Sequence, residues 1–491
     1  MKRFPAATAV ALLLVSLLCA CADNAQTVIE TETTSADNTA AVTATDTQTS
    51  RITVTPSNTD YEGHEFRIIS FDNEQQHGWT GIPNDLDVDE ETGDVLNDSV
   101  YYRNRAVEEA LNITITNEPL TADKLNSMVT QSVMANSGDY DLVVPQLLSW
   151  YKLIGGQLLY DLNTADGLDL SMPWWDENMI DELTFHGRLF GAVSDITYID
   201  KLSCWTVFFN KEMAQQFDIG NLYEMVKNGQ WTYDTMLTLS QNVSADIDGN
   251  GTYDEKDRYG IASQTDIIYL TMHSAGASIC ENENDSIVYS LTEAKALETA
   301  AAGIDLMKNK QLFFDRIPYN MTINDAISML IDNRALFMIR PLQTVMNLRS
   351  MQADFGIIPM PKFDEEQDRY YTPLNVWSST ILTLPRDTQD LTRSVDVLNM
   401  LASESYYAVI EPFYDLVLDT KLVRDEETAE MLDIAFGSRF YDIGLICNFA
   451  SIWESINKVG SNALASAVES NRAKVMKAAD EFIESILEYE E

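Results

Sequence analysis

The sequence predicts an α/β protein of two lobes, each a mostly parallel sheet flanked by helices, with extended segments crossing between them. Three observations lead there. Strand-like and helix-like patterns alternate from Tyr61 onward, which indicates largely parallel sheets. The ~430 residues of that region exceed the ~250–300 at which a single core stops growing. Two stretches, 184–210 and 370–384, each consist of extended runs broken by a polar, aromatic-bearing patch: Ser194–Tyr198 and Asn375–Trp377. They read as outgoing and return crossings.

The elements follow in order. Residues 65–71 (EFRIISF) read as a strand, and 97–111 as a helix with Val100, Val107 and Leu111 at helical spacing and Asn97 or Asp98 as cap. A strand at 112–116, a helix at 121–135 and a strand at 140–144 complete the first set. In open sheets of this kind ligands sit outside the carboxyl ends of the strands. That rule selects Phe71-Asp72-Asn73 and the run from Pro145-Gln146 to Ser149-Trp150. Residues 189–193 and 204–209 are the arms of the first crossing, and 211–217 and 233–243 read as helices, the second capped by Thr232. A helix over 290–308 opens on a capping box of Ser290 and Glu293 and buries Leu297, Ala301, Ile304 and Met307. Short strands follow at 335–339 and 355–359, and the last helix carries Val475, Ala479, Phe482 and Ile486 on one face.

The N-terminus indicates a compartment. Lys2 and Arg3 precede an apolar run over 6–18. At roughly 13 residues it is too short to span a bilayer, and it has the anatomy of an export signal. Leu18-Cys19-Ala20-Cys21 resembles a bacterial lipobox, which implies cleavage before Cys21 and lipidation of its sulfur; an ordinary signal peptide is the alternative. Residues 1–20 are then the signal, and 21–60, rich in Thr, Ser, Ala, Asn and Asp, form a disordered tether. As a flexible coil of about 40 residues it would reach roughly 35 Å.

The net charge is −45, and loss of Lys2 and Arg3 leaves 30 basic against 77 acidic side chains, or −47. Such a surface argues against nucleic acid or anionic lipid as ligand. Beyond Cys19 and Cys21 only Cys204, Cys280 and Cys447 remain, with no metal-like spacing; one disulfide or three buried thiols fit equally. The four histidines form no HExxH.

The most specific local motif is Asp246-Ile-Asp248-Gly-Asn250-Gly251-Thr252-Tyr-Asp254-Glu-Lys-Asp257. Side-chain oxygens fall at positions 1, 3, 5, 9 and 12 of a twelve-residue loop, with glycine at 6 and the Thr252 carbonyl available at 7. That is EF-hand spacing, and it points to a structural Ca2+. Asp257 replaces the usual bidentate Glu, and residues 258–261 look extended rather than helical, so an ion-free Asx-rich turn stays open. Eight tryptophans, several beside strand ends or crossings, suit a sugar with apolar C–H faces and hydroxyl edges. Trp150, Trp205 and Trp377 are the ones singled out as ligand contacts, against core packing. Arg340-Pro341, after a strand, resembles a helix start that could hold hydroxyls or an anion. With 77 carboxylates, Asp195 or Glu411 proves no catalytic dyad, and no GxSxG elbow, Walker loop or dinucleotide fingerprint occurs.

Together these stretches resemble a known family. The lipobox, PWWDENMIDELTFHGRLFGAVSDI, VFFNKEM, GQWTYDTM, DIDGNGTYDEKDRYG, ALFMIRPLQ, FGIIPMPKFDEEQDRYY and AKVMKAADEFIESILE are similar to bacterial extracellular solute-binding lipoproteins of ABC importers, of the carbohydrate type called family 1. The resemblance covers 61–491. It implies a type II periplasmic-binding-protein-like fold with lobes of 61–195 plus 376–415 and 196–375 plus 416–491. It also implies a ligand in the cleft, closure about the hinge, docking on permease subunits, and lipid anchoring to the outer face of the cytoplasmic membrane. The expected molecule is a monomer and not an enzyme. Family cleft positions map to Phe71, Gln146, Trp150, Asp195, Tyr198, Trp205, Arg340 and Trp377. Two other classes stay open: a secreted carbohydrate-active enzyme using paired carboxylates, and an adhesion or assembly module, for which a dockerin would need a second calcium loop. Within the binding class, peptide is the rival to sugar.

Overall fold

A computed structural model describes residues 51–79, 85–348, 354–418 and 426–489. The signal, Cys21 and the tether as far as Ser50 lie outside the described residues. Residues 51–60, read from composition as the end of that tether, are fastened to the body. Arg51 pairs with Glu404, and the Ser57 and Asn58 N–H groups donate to the Asp396 carboxylate at 2.9 and 3.0 Å.

The first sheet holds β1 (His64–Phe71), β2 (Ile113–Leu120) and β3 (Leu142–Val144) in the order β2-β1-β3, all parallel. The connecting helices are α1 (Val95–Leu111) and α2 (Ala122–Ala135), and α3 (Leu147–Gly155) follows β3. Both faces of β1 are buried, as expected of a parallel sheet covered on two sides: Phe66 and Ile68 enter one apolar cluster, Ile69 the other. The cap of α1 is Asp94, whose side chain accepts from Leu96 and Asn97 N–H. Asp98, expected there, instead accepts the Thr92 and Gly93 N–H groups.

The second sheet holds β4 (Trp205–Asn210), β5 (Tyr259–Ser263), β6 (Phe313–Asp315), β7 (Ala335–Pro341) and β8 (Phe355–Pro359). Its order is β8-β4-β7-β5-β6. It is mixed rather than mostly parallel: β5, β6 and β7 run together, while β4 is antiparallel to both its neighbours. Helix α4 (Tyr233–Val243) has the expected Thr232 cap. The capping box does not form on α5 (Ala294–Lys308): residues 290–292 make a 3-10 turn, Glu293 is the N-cap, and the Ser290 hydroxyl bonds Ser278.

The crossings join the sheets. Outgoing and return segments pair at Ala192↔Leu382 and Cys204↔Leu374, and the return segment also pairs with the first sheet at Val143↔Thr383. The single helical turn Ile199–Leu202 sits between the two outgoing bridges. Helix α6 (Leu391–Ala408) then covers the first sheet beside α1, and α7 (Ser461–Leu487) buries Leu464, Val468, Val475, Ala479, Phe482 and Ile486. That face meets α3 through Trp150 and Phe482, whose centroids are 6.2 Å apart. The three cysteines are free and buried. Among the described residues no helix is long and apolar enough to cross a membrane.

Candidate functional site

Parallel strands present unpaired backbone groups and loop side chains at their carboxyl ends, and a cavity sits at that edge of each sheet. The first lies past β1, β2 and β3 and is lined by Phe71, Asp72, Asn117, Pro119, Val144 and Thr380 among others. Three buried polar atoms in it have no partner: Asn73 Oδ1, Asn117 Oδ1 and Thr380 Oγ1. The second lies past β5, β6 and β7, with Gln264, Arg316 and Arg340 at or just beyond the three strand ends. Trp79, Trp205 and Trp377 line it with Asp266, Gln343 and Asn375. Its cavity volume is about 110 Å³, smaller than most small-molecule sites.

Aromatic rings connect the two. Phe71 meets His77 edge-on at 6.1 Å, and His77 stacks on Trp79 at 4.2 Å. Behind the other wall the buried Tyr269 lies 6.3 Å from Trp205 and 5.9 Å from Trp377. Gln146 Nε2 donates to the Trp377 carbonyl at 2.7 Å, and His77 Nε2 to the same oxygen at 3.2 Å. Burial holds the His77 imidazole below its usual pKa. The walls of the second cavity are thus apolar C–H and π surface, with amides, one carboxylate and two guanidiniums placed between them.

The structure brings Phe71, Trp205, Arg340 and Trp377 to the cavity walls and places Gln146 directly behind Trp377. Trp150, Asp195 and Tyr198 line neither cavity. Trp150 is sealed in the core, its Nε1 donating to the Phe190 carbonyl at 3.0 Å. Tyr198 is stacked on Phe413 at 5.4 Å. Asp195 pairs with Lys201 Nζ at 2.5 Å within a buried charge network at the crossing. In that network Lys201 also faces Asp200, Arg439 bridges Asp200 and Asp176, and Tyr441 Oη donates to Asp176 at 2.7 Å. Asp85 accepts the Tyr198 and Ile199 N–H groups at 2.9 and 3.2 Å, and burial pushes its carboxyl up to about 6.

Sequence reasoning missed His77, Trp79, Gln264, Asp266, Tyr269, Arg316 and Gln343. A signal existed for Gln264 and Arg316: the strand-end rule selects both once β5 and β6 are recognised. Tyr269 lies inside a fully buried helical stretch, Ile267–Ser274, and no local pattern marks it.

The acidic loop lies between α4 and β5, so a strand follows it rather than a second helix. Gly251, at position 6, has φ of 81°, the left-handed region that favours glycine. One carboxylate oxygen each of Asp246, Asp248 and Asp257 lie within 4.8 Å of one another, a grouping that could hold a divalent cation. Asn250 and Asp254 accept the Thr252 and Lys256 N–H groups at 2.7 and 2.9 Å.

No protein-family model matches the sequence, and comparison with curated proteins gives no match. Solved structures do. A sugar transporter from Rhizobium etli in an open conformation superposes with a TM-score of 0.56 at 14% identity, covering 87% of this chain and 100% of that one. An ABC transporter solute-binding protein from Thermotoga lettingae bound with α-D-tagatose gives 0.52 at 14%, covering 86% and 100%. An ABC substrate-binding protein from Listeria monocytogenes in complex with cycloalternan gives 0.52 at 9%, covering 87% and 98%. The chain has the mixed α/β fold of these solute-binding proteins.

Proposed function

We propose that this chain is the extracytoplasmic solute-binding component of an ABC importer, which captures a sugar or oligosaccharide and hands it to permease subunits. The observation that carries the reading is the aromatic-walled cavity at the carboxyl edge of the second sheet, with Trp79, Trp205 and Trp377 on its walls. Aromatic faces pack on sugar C–H faces, and sparse amides and charges satisfy hydroxyls. Three features of the reading rest on the resemblance and the shared fold: a type II arrangement, lobes of 61–195 plus 376–415 and 196–375 plus 416–491, and the two crossings as hinge. Ligand contacts made by both lobes exist only in the closed form, so ligand shifts the balance by its differential affinity. Phe71, Trp205, Arg340 and Trp377 touch the ligand; Gln146 positions Trp377; Trp150, Asp195 and Tyr198 belong to the scaffold.

The same proposal places a structural Ca2+ on Asp246, Asp248, Asp257 and the Thr252 carbonyl, with Asn250 and Asp254 in support. It tethers a monomer through a lipid on Cys21 to the outer face of the cytoplasmic membrane. It assigns no catalytic residue. A thermal-shift screen of sugars and short peptides tests it, since a ligand of the native state stabilises by mass action. Sugars should raise the melting temperature with no turnover at catalytic protein concentrations. Hydrolysis, or a response to peptides alone, contradicts it.

A further inference from the structure

The second cavity sets two guanidiniums, Arg340 and Arg316, against one carboxylate, Asp266. Arg340 is nearly fully buried, yet only one of its donors has a partner among the described residues: Nη1 donates to Gln264 Oε1 at 2.6 Å, and the buried Nε has none. Arg316 donates Nη1 to the Met321 carbonyl at 2.9 Å and directs Nη2 at the same Gln264 oxygen from 3.5 Å, while its Nε is likewise buried and unpartnered. A guanidinium carries five N–H donors. Buried arginines elsewhere have fuller partners, although Arg393 and Arg439 also keep an Nε without a hydrogen bond. Arg103 uses all its nitrogens on the Asn104 and Ser405 side chains and the Ile196, Asp85 and Leu86 backbone carbonyls, and Arg439 bridges two carboxylates.

At the cavity neither arginine forms an ion pair with a described carboxylate. Asp266 is the acid that acts on both arginines across the site, and its side chain also accepts from the Gln264 amide. Burial and Arg316 together hold the Arg340 guanidinium down at about 10. Two guanidiniums thus share one amide oxygen and one opposing carboxylate, Asp266, inside a chain of net charge −45. Sugar hydroxyls would fill the hydrogen bonds but leave the excess positive charge unpaired, and an uncompensated buried charge is costly. A carboxylate satisfies both requirements, because its two oxygens match a guanidinium fork.

We infer that the ligand is an acidic saccharide, a hexuronate or an oligosaccharide carrying one, whose carboxylate binds between Arg340 and Arg316 while its ring packs on the tryptophans. This rests on the sugar-binding reading and narrows it.

The test is calorimetric titration of the intact chain with matched pairs: D-glucuronate against D-glucose, D-galacturonate against D-galactose, and their di- and trisaccharides. The best-binding uronate should bind at least tenfold more tightly than its neutral parent, and the ratio should shrink with added salt. Arg340→Gln and Arg316→Gln should each bring that ratio below threefold. Arg316 is only part-buried, so its variant carries the test if Arg340→Gln does not melt cooperatively. A wild-type ratio near one or reversed, with neutral sugars binding, overturns this inference and leaves the sugar reading standing. No binding in either series overturns both. Simple carboxylates such as succinate binding as tightly as the uronates would keep the anion site and overturn the saccharide.

Discussion

The Asn375 N–H donates to the Ser203 carbonyl at 2.8 Å, fastening the return crossing to the outgoing one. The hydroxyls of Ser203 and Ser378 lie 2.8 Å apart beside it. Asn375 and Trp377 line the second cavity, and Thr380 lines the first. The paired crossings therefore form a shared wall of both cavities, and movement about them would change both at once.

Trp377 offers the simplest binding test. Its ring is part-exposed in the cavity and its carbonyl is held by Gln146. Trp377→Ala should weaken the best-binding sugar by about 10–100-fold, as for a buried aromatic anchor. Gln146→Ala should weaken it less while leaving the fold intact. Calorimetry of both variants checks the order.

Calcium should stabilise the protein and magnesium should not, because the loop spacing suits the larger, more flexible shell. At 100 times the dissociation constant the gain is about 2.7 kcal/mol. Asp246→Ala should abolish the response of the melting temperature to calcium and to chelator. An unchanged response would remove the ion from the loop.

Asp85 gives a pH dependence with a definite sign. Its folded pKa, about 6, lies above the ordinary 3.8 because of burial. Between those values the native state holds a proton that the unfolded chain has lost. This group's contribution to stability is therefore greatest in acid and falls as pH rises through that window, by on the order of 3 kcal/mol. Asp85→Asn keeps an acceptor for the Tyr198 and Ile199 N–H groups and should flatten the slope between pH 4 and 6 in denaturant titrations.

The network around Arg439 should be intolerant of partial removal. Arg439→Ala leaves Asp176 and Asp200 buried without that counter-charge, and loss of one partner of such a pair typically costs about 3–5 kcal/mol. Equilibrium unfolding measures it.

Burial raises the thiol pKa at all three cysteines, to about 12 at Cys204. Thiol reagents at neutral pH should leave the native protein unmodified and label three sites once it unfolds, besides any unlipidated cysteine at the N-terminus. Fewer than three would indicate a disulfide.

How much the sequence disclosed depends on how local the cause is. Residues 233–243 and 355–359 could be bounded from periodicity and caps alone, since Thr232 and the apolar spacing act within a few residues. The cap of α1 was misplaced because Asp94 and Asp98 are both competent, and only the fold gives Asp98 the Thr92 and Gly93 N–H groups. Trp205, Arg340 and Trp377 were legible as strand-end or crossing residues. Trp150 obeys the same rule yet turns into the core against Phe482, a residue 332 positions later. Asp195 was legible as a polar residue at a crossing, but its partner Lys201 becomes a neighbour only once the turn Ile199–Leu202 forms. Long-range pairing is what a linear reading lacks.

The most direct test is small-angle scattering of the protein titrated with its best-binding sugar. Closure about the crossings predicts a radius of gyration that contracts and saturates at one ligand per chain, with the sugar recovered unaltered. Saturable binding with no contraction, or recovery of a cleaved sugar, would contradict the account.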